Sequence, residues 1–329
     1  MQTGRWSAWG CYNRTELALK TVGIAKAVLF FCLQKEAWIV RRFMVYKDTK
    51  WAKEIIESQD DEGKWGTFHS LSQPTAKNNH TTEQALRRLE RLGYTMEDEC
   101  IQKAVTYMND CLIGKKSIPD YREKVHDWNI FTSLILSTWI RRFTNDNPAA
   151  NEVAKKWADI ISSSFVNGTF IYEEYVAAYT DILGLKPNGG RLVDFVNFYP
   201  ISLVCDCLDR NTQQTVVDYI INRDNGIYYI YHDKIAVLPS VFESKKASYY
   251  LAAIELLSKY VYAKYKFSYV VDWLNENRNK SGKWDMSKSV HDKVYFPLSD
   301  EWRKSEIREM DCTERISNLL FTLCEKNKD

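Results

Sequence analysis

Glycine and proline are scarce, at 13 and 7 in 329 residues. A β sandwich or barrel needs tight turns every few residues, so this scarcity argues against both. The eight cysteines are scattered without a C-x-x-C pair, which removes the commonest zinc and dithiol spacings. With no secretory signal recognisable, they read as reduced thiols, and the expected location is cytoplasmic. A chain of this length buries roughly three quarters of the surface its unfolded form exposes, so folding requires neither disulfide nor metal.

Long apolar runs are also lacking. VGIAKAVLFFCL (22–33) is shorter than the ~20 residues of a transmembrane helix and contains Lys26. It lies too deep for a signal peptide, and no membrane span is expected. The net charge of +2 is unevenly placed. Residues 1–50 hold nine Lys/Arg against three Asp/Glu, which leaves 36 against 40 for residues 51–329. The main body therefore has no electrostatic reason to bind nucleic acid. H-E-x-x-H, G-x-S-x-G and a phosphate-binding P-loop are all missing, and Ser281-Gly282-Lys283 lacks the upstream glycine of the last.

Aromatic residues, by contrast, are abundant: 11 Trp, 20 Tyr and 14 Phe. Some recur in a pattern. EIIESQDDEGKW (54–65), DIISSSFVNGTF (159–170), DYIINRDNGIYY (218–229) and WLNENRNKSGKW (273–284) align on Gly63, Gly168, Gly226 and Gly282. Two residues after each glycine stands Trp65, Phe170, Tyr228 or Trp284, and a degraded copy surrounds Gly114. The glycines are 51 to 58 residues apart, which fits two helices and two loops per repeat.

Between these turns lie more apolar segments at 81–94, 127–143, 194–208, 247–260 and 312–326. Each opens with polar residues suited to capping a helix. Residues 127–143 are apolar nearly all round and should be buried on most sides. Stacked helical pairs form an open solenoid or a closed barrel. Second helices apolar on all sides favour closure. The expectation is an all-α protein, an α/α toroid of repeated helical pairs with inner and outer helix rings, as one domain over 44–329. Residues 1–43 are basic, carry Trp6, Trp9 and Trp38, and do not fit the repeat. They read as an extra helix or as an extension outside the core, with a membrane-surface helix as the sharper alternative.

Gln59–Gly63–Trp65 resembles the QW motif of the squalene cyclases, whose barrel of helical pairs is shared by the β subunits of protein prenyltransferases. Gly168–Phe170, Gly226–Tyr228 and Gly282–Trp284 match the Gly-x-aromatic half. The resemblance covers about residues 50–326. It implies a structural role for the motif, in which the aromatic stacks against neighbouring helices and the Gln bonds a helix end. It also implies an aromatic-lined cavity for an apolar or isoprenoid-like ligand.

The chemistry of that family is represented incompletely. The D-x-D-D acid string of the cyclases is absent, and Asp60-Asp61 lacks the third carboxylate of a magnesium-binding D-D-x-x-D. In the prenyltransferases zinc is held by an Asp, a Cys two residues later and a distant His. Here Asp311 and Cys312 are adjacent, with His126 as the third candidate. One residue of displacement turns a helical side chain by about 100°, so zinc and magnesium are weak expectations.

Position supplies further candidates. With the inner helices opening at one mouth, His126, Asp127, Asp311 and Glu314 are candidate acid, base or positioning groups. His80, Glu83, Trp128, Tyr249 and Arg315 would line the ligand site, Arg315 meeting an anionic end. The loop leading to the last inner helix adds Trp302, Arg303 and Lys304, with Tyr295 as a cover. Helix caps and structural ion pairs use the same residue types. A non-catalytic binding or scaffold toroid is the alternative reading. A carbohydrate-active α/α barrel is a third, which would set two carboxylates such as Glu83 and Glu314 across the mouth.

Overall fold

The computed structural model describes residues 46–73, 79–122, 125–187 and 191–324. Two compact units divide the chain, Met1–Asp48 and Thr49–Asp329. The extension expected over 1–43 lies outside the described residues. The second unit, taken by itself, contains eleven α-helices and two short β hairpins among its described residues. The fold class is all-α, and no described helix is long and apolar enough to cross a membrane.

The helices are α1 (Lys50–Glu57), α2 (Thr82–Arg91), α3 (Glu99–Leu112), α4 (Trp128–Phe143), α5 (Pro148–Ser163) and α6 (Tyr172–Leu183). They continue with α7 (Phe198–Leu203), α8 (Arg210–Asn222), α9 (Lys245–Leu257), α10 (Ser268–Glu276) and α11 (Ser305–Cys324). Strands β1 (Phe165–Val166) and β2 (Thr169–Phe170) pair antiparallel, with Phe165 opposite Phe170. So do β3 (Asn225–Ile227) and β4 (Tyr231–Asp233), with Ile227 opposite Tyr231.

Caps set most helix starts. The Thr81 hydroxyl accepts from Gln84 N while the Gln84 side chain bonds back to Thr81 N, a complete capping box. Asp127, Asn147, Asp209 and Ser244 cap α4, α5, α8 and α9 with side-chain oxygens. Helix α4 packs against α3, α5 and α7 and buries Phe131, Leu134, Ile135, Leu136, Trp139 and Ile140. That burial matches its all-round apolar sequence.

The repeat turns are built alike at the two ends of the unit. Trp65 donates its indole N–H to the Ile55 carbonyl at 2.7 Å, and Trp284 donates to Leu274 at 2.6 Å. The backbone N–H of each tryptophan reaches a threonine of a later helix, Thr82 at 3.0 Å and Thr313 at 3.2 Å. Asp60 and Asn279 are equivalent turn residues, each accepting two backbone N–H groups with its Oδ1. Gln59 bonds the Gly63 carbonyl at 3.0 Å and the Cys100 carbonyl, at the start of α3, at 2.8 Å.

Several details depart from expectation. Helix α7 has six residues, not the fifteen of 194–208. Val196 and Phe198 exchange backbone bonds with Tyr228, which draws this stretch into a ladder, and Asp206 turns out to meet Arg141 at 2.6 Å. Helix α6 is an addition to the two-helix repeat. Gly226 lies within β3, and Tyr228 is 50% exposed, so this copy has lost the aromatic clamp. Helix α11 begins at Ser305, not near 312, because its polar first turns are fixed by Arg308, which grips Asp285 with two 2.6 Å bonds.

Candidate functional site

Helix α2 determines the site. Its apolar face buries Ala85, Leu86 and Leu89. Glu83, Arg87, Glu90 and Arg91, at i, i+4, i+7 and i+8, form a second stripe along one side. That stripe meets α4, α7 and α9, so a charged row occupies the ground between the more apolar helices.

At its N-terminal end Glu83 is fully buried. Its carboxylate accepts the Trp139 indole N–H at 2.6 Å, the Tyr199 hydroxyl at 3.0 Å and Ser70 N at 2.6 Å. The His69 Nε2 stands 3.9 Å from the same carboxylate and makes no hydrogen bond among the described residues. Phe131, Tyr199 and Tyr229 surround the His69 ring at centroid distances of 5.3, 6.2 and 5.7 Å. Asp120 holds the loop that presents this histidine by accepting Phe68 N and His69 N at 2.6 and 2.9 Å.

One turn further along the stripe a cavity of about 260 Å³ opens. Phe198, Ile230, Ala252, Leu256 and Tyr295 form its apolar wall. Its charged lining is Arg87, Arg91, Arg142 and Lys259 against Glu90 and Glu255. Arg142 chelates Glu90 through Nε at 3.1 Å and Nη2 at 2.6 Å, and its Nη1 meets the Ser202 hydroxyl at 2.8 Å. Glu255 takes Arg91 from one side and Arg315 from the other, the latter at 2.7 Å. Both carboxylates are thereby spent. Arg87 lies over the Phe198 face, 4.4 Å from its centroid, donates to the Tyr295 hydroxyl and is attracted by the Glu83 charge, but forms no salt bridge among the described residues. Nor does the Lys259 ammonium among those residues make a hydrogen bond or an ion pair.

Two opposing influences act on the carboxylates. Burial alone would raise the carboxyl pKa of Glu90, but Arg142 and Lys259 more than reverse it, and the value lies below the ordinary one. Burial likewise pushes Glu255 upward, and Arg315 and Arg91 bring it below the ordinary range. Lys259 is held below the ordinary lysine value, first by the Arg142 charge and then by desolvation.

The residues singled out from sequence are scattered among several places. Arg315 and Tyr249 do come together, each against Tyr295, with Arg315 4.9 Å from that ring's centroid and the Tyr249 ring 5.9 Å away. Arg315 also donates to the Ser248 hydroxyl and carbonyl, both at 2.8 Å. Glu83 stands at the aromatic centre, and His126 joins its edge through Phe131 at 4.9 Å. Asp127 is a helix cap, accepting Asn129 N and Ile130 N at 3.1 Å. Trp128 is half-buried in the first turn of α4.

Asp311 sits two turns inside α11 rather than at its mouth. One oxygen accepts Leu298 N, Ser299 N and the Ser299 hydroxyl, at 2.8 to 3.0 Å. Glu314 accepts from Asn318, a turn along its own helix. Trp302 is core, packed on Phe296 at 4.9 Å. Arg303 is exposed, and Lys304 pairs with Glu301, so that loop does not gather the expected basic cluster. His80 is half-buried, and burial lowers its pKa, with Lys293 and Arg88 adding to the effect and Glu54 opposing it.

The zinc set is not assembled. Cys312 is buried, its sulfur accepts Met286 N at 3.4 Å, and burial pushes its pKa up to about 12. Among the described residues no three His, Cys, Asp or Glu side chains converge as a metal site. No protein-family model, curated protein or solved structure matches this chain.

Sequence reasoning missed His69, Arg87, Glu90, Arg91, Arg142, Glu255 and Lys259. The first is a loop residue with no pattern around it. The α2 charges did carry a signal, their helical spacing, which is readable as a solvated face unless the opposite side is known to be covered too.

Proposed function

We propose that residues 49–324 form an α/α toroid of the terpenoid-cyclase and prenyltransferase type, and that its central cavity binds an anionic, isoprenoid-like small molecule. Helices α2, α4, α7, α9 and α11 would be its inner set, with α1, α3, α5, α8 and α10 outside. Three features support the arrangement. The tryptophan turns repeat at both ends, and Arg88 donates to the Pro297 carbonyl. At the start of α1, Lys50 N donates to the Asp300 carboxylate at 3.1 Å.

The observation that carries the ligand reading is that Arg87 and Lys259, which form no salt bridge among the described residues, line the cavity beside an apolar wall. A half-buried arginine without a salt bridge, as Arg87 is among the described residues, is costly, and an anionic head group would offset that cost while the wall takes the hydrocarbon. The test is thermal shift of the full chain with inorganic diphosphate and with geranyl, farnesyl and geranylgeranyl diphosphates, each with and without magnesium or zinc. Stabilisation by a prenyl diphosphate beyond that by diphosphate alone is the expected result, and R87Q should weaken it. Stabilisation by none of them would overturn the reading.

The non-catalytic alternative draws on the upper half of the site, where Phe131, Trp139 and Tyr199 are fully buried around a carboxylate with three donors. That half is a filled core. The cytoplasmic assignment rests on the six described cysteines, all of them free thiols. The charge balance of the main body speaks for a small-molecule partner rather than nucleic acid.

A further inference from the structure

We propose that Asn167 is a covalent modification site: the Gly168 backbone nitrogen attacks its side-chain amide, and the hairpin tip is converted to aspartate and isoaspartate. Neither the cavity nor a ligand takes part. Asn-Gly occurs twice among the described residues, at 167–168 and at 225–226, and the two pairs have opposite surroundings.

Strands β1 and β2 pair Val166 with Thr169, so Asn167 and Gly168 alone make the turn. Both have positive φ, 50° and 79°, the type I′ geometry that asparagine and glycine favour. The residues that shape the turn are also the reactive ones. No side chain hinders a glycine nitrogen, and its attack on the preceding asparagine amide closes a five-membered ring. Both residues are exposed, and a Cβ built on Gly168 would meet nothing within 4 Å. Ring closure requires the tip to leave the turn geometry. That opening costs little, because so short a two-stranded hairpin is marginally stable by itself. The base stays fixed meanwhile. Ile171 N donates to the Ser164 carbonyl at 2.8 Å, and the Phe165 and Phe170 rings pack on Phe195 at 6.0 and 5.4 Å.

The second pair is protected. Asn225 faces Asp233 in the β3–β4 ladder, and Gly226 is buried. A Cβ on Gly226 would collide with the carbonyl oxygens of Tyr231 and Asp233. Ile227 and Tyr231 of the same ladder are core residues, so closing a ring at Asn225 means pulling a packed hairpin apart.

The step consumes only water. A base takes the Gly168 N–H proton, the nitrogen bonds to the side-chain carbonyl carbon of Asn167, and the amide nitrogen takes up a proton and leaves as ammonia. Water then opens the succinimide at either of its carbonyls. One product is aspartate. The other is isoaspartate, whose backbone runs through the side chain and is longer by one methylene. Both add a negative charge, and the longer backbone no longer fits a two-residue turn, so the pairing of Phe165 with Phe170 is weakened.

The experiment incubates the full chain at mildly alkaline pH and physiological temperature. Peptide mass follows the amide-to-acid change at both asparagines, and chromatography separates the two acid isomers. Folded protein should convert Asn167 about tenfold faster than Asn225 or more, the protected site being limited by its costlier opening. In guanidinium the two sites should convert at similar rates, and G168A should slow Asn167 under both conditions. Equal rates at the two sites of the folded protein would overturn the proposal. So would an Asn167 that stays intact in folded protein while the unfolded chain converts. Conversion that G168A leaves undiminished, with aspartate as the sole product, would mean direct hydrolysis and would overturn the attack by Gly168.

Discussion

The indole of Trp284 bonds the carbonyl of Leu274, ten residues before it, as Trp65 bonds Ile55 at the other end of the unit. Both rings are almost completely buried. Each indole fixes the end of the helix before it while its own backbone N–H reaches a threonine of a later helix, so one residue spans two elements. W65A and W284A should each cost about 3–5 kcal/mol, the range for truncating a buried large aromatic. Denaturant unfolding measures this. A loss within about 0.5 kcal/mol, typical of a surface change, would show that the clamp is not structural.

Gly63 and Gly282 occupy equivalent turns but differ in their surroundings. Both have positive φ, 94° and 77°, which costs a side-chain-bearing residue about 1–2 kcal/mol. At Gly63 an added Cβ would also stand 2.5 Å from the Lys103 carbonyl oxygen, whereas at Gly282 nothing lies within 4 Å. G282A should therefore lose only the conformational term, and G63A clearly more. Equal losses in paired unfolding curves would refute the close approach of the Gly63 turn to α3.

These turns were legible because glycine and tryptophan are rare and their joint spacing stands out. The helices around them were legible for the same kind of reason, α2 by the polar, capping-type opening of 81–94 and α4 as a segment apolar nearly all round. The charged centre was not. Arg87, Glu90 and Arg91 find their partners on α4 and α9, 50 residues and more away in the chain, and no local pattern encodes that meeting. Asp311 was misplaced for a related reason. Ser305–Met310 carries little apolar periodicity, so the sequence pattern starts the helix after it, and the tertiary grip of Arg308 on Asp285 extends it backward.

Acid should weaken the cavity network. Glu90 and Glu255 both have folded pKa values below the ordinary glutamate value, so the unfolded chain binds more protons over the interval between. Their contribution is complete above the unfolded value of about 4.3 and is lost as the pH falls through the folded values. Stability measured by denaturant from about pH 6 to about pH 3 should fall at the acid end, and E90Q should flatten part of that slope. An unchanged slope in E90Q would show that the Glu90–Arg142 pair is not a source of the pH dependence.

Thiol reactivity separates the two readings of Cys312. Burial keeps it protonated, with a pKa of about 12, and the thiolate is the form that alkylates or binds zinc. Native protein treated with iodoacetamide at mildly alkaline pH should lose Cys324 and Cys207, which are exposed, well before Cys312. Early modification of Cys312, or its protection by added zinc, would restore it as a metal ligand.

Substitution of Glu83 tests the aromatic centre most directly. Oε1 accepts the Trp139 N–H, and Oε2 accepts Ser70 N and the Tyr199 hydroxyl. Both oxygens thus face an N–H that cannot turn into an acceptor. In E83Q the new amide nitrogen must oppose one of them whichever way the side chain is flipped, which leaves a buried donor against a donor. A cost of about 1–3 kcal/mol is expected for that conflict. Y199F removes a donor but leaves Oε2 with Ser70 N, so it should cost only about 0.5–1.5 kcal/mol. An E83Q variant as stable as wild type would mean that the carboxylate is not held by these donors, and that it is free to meet His69 or a ligand.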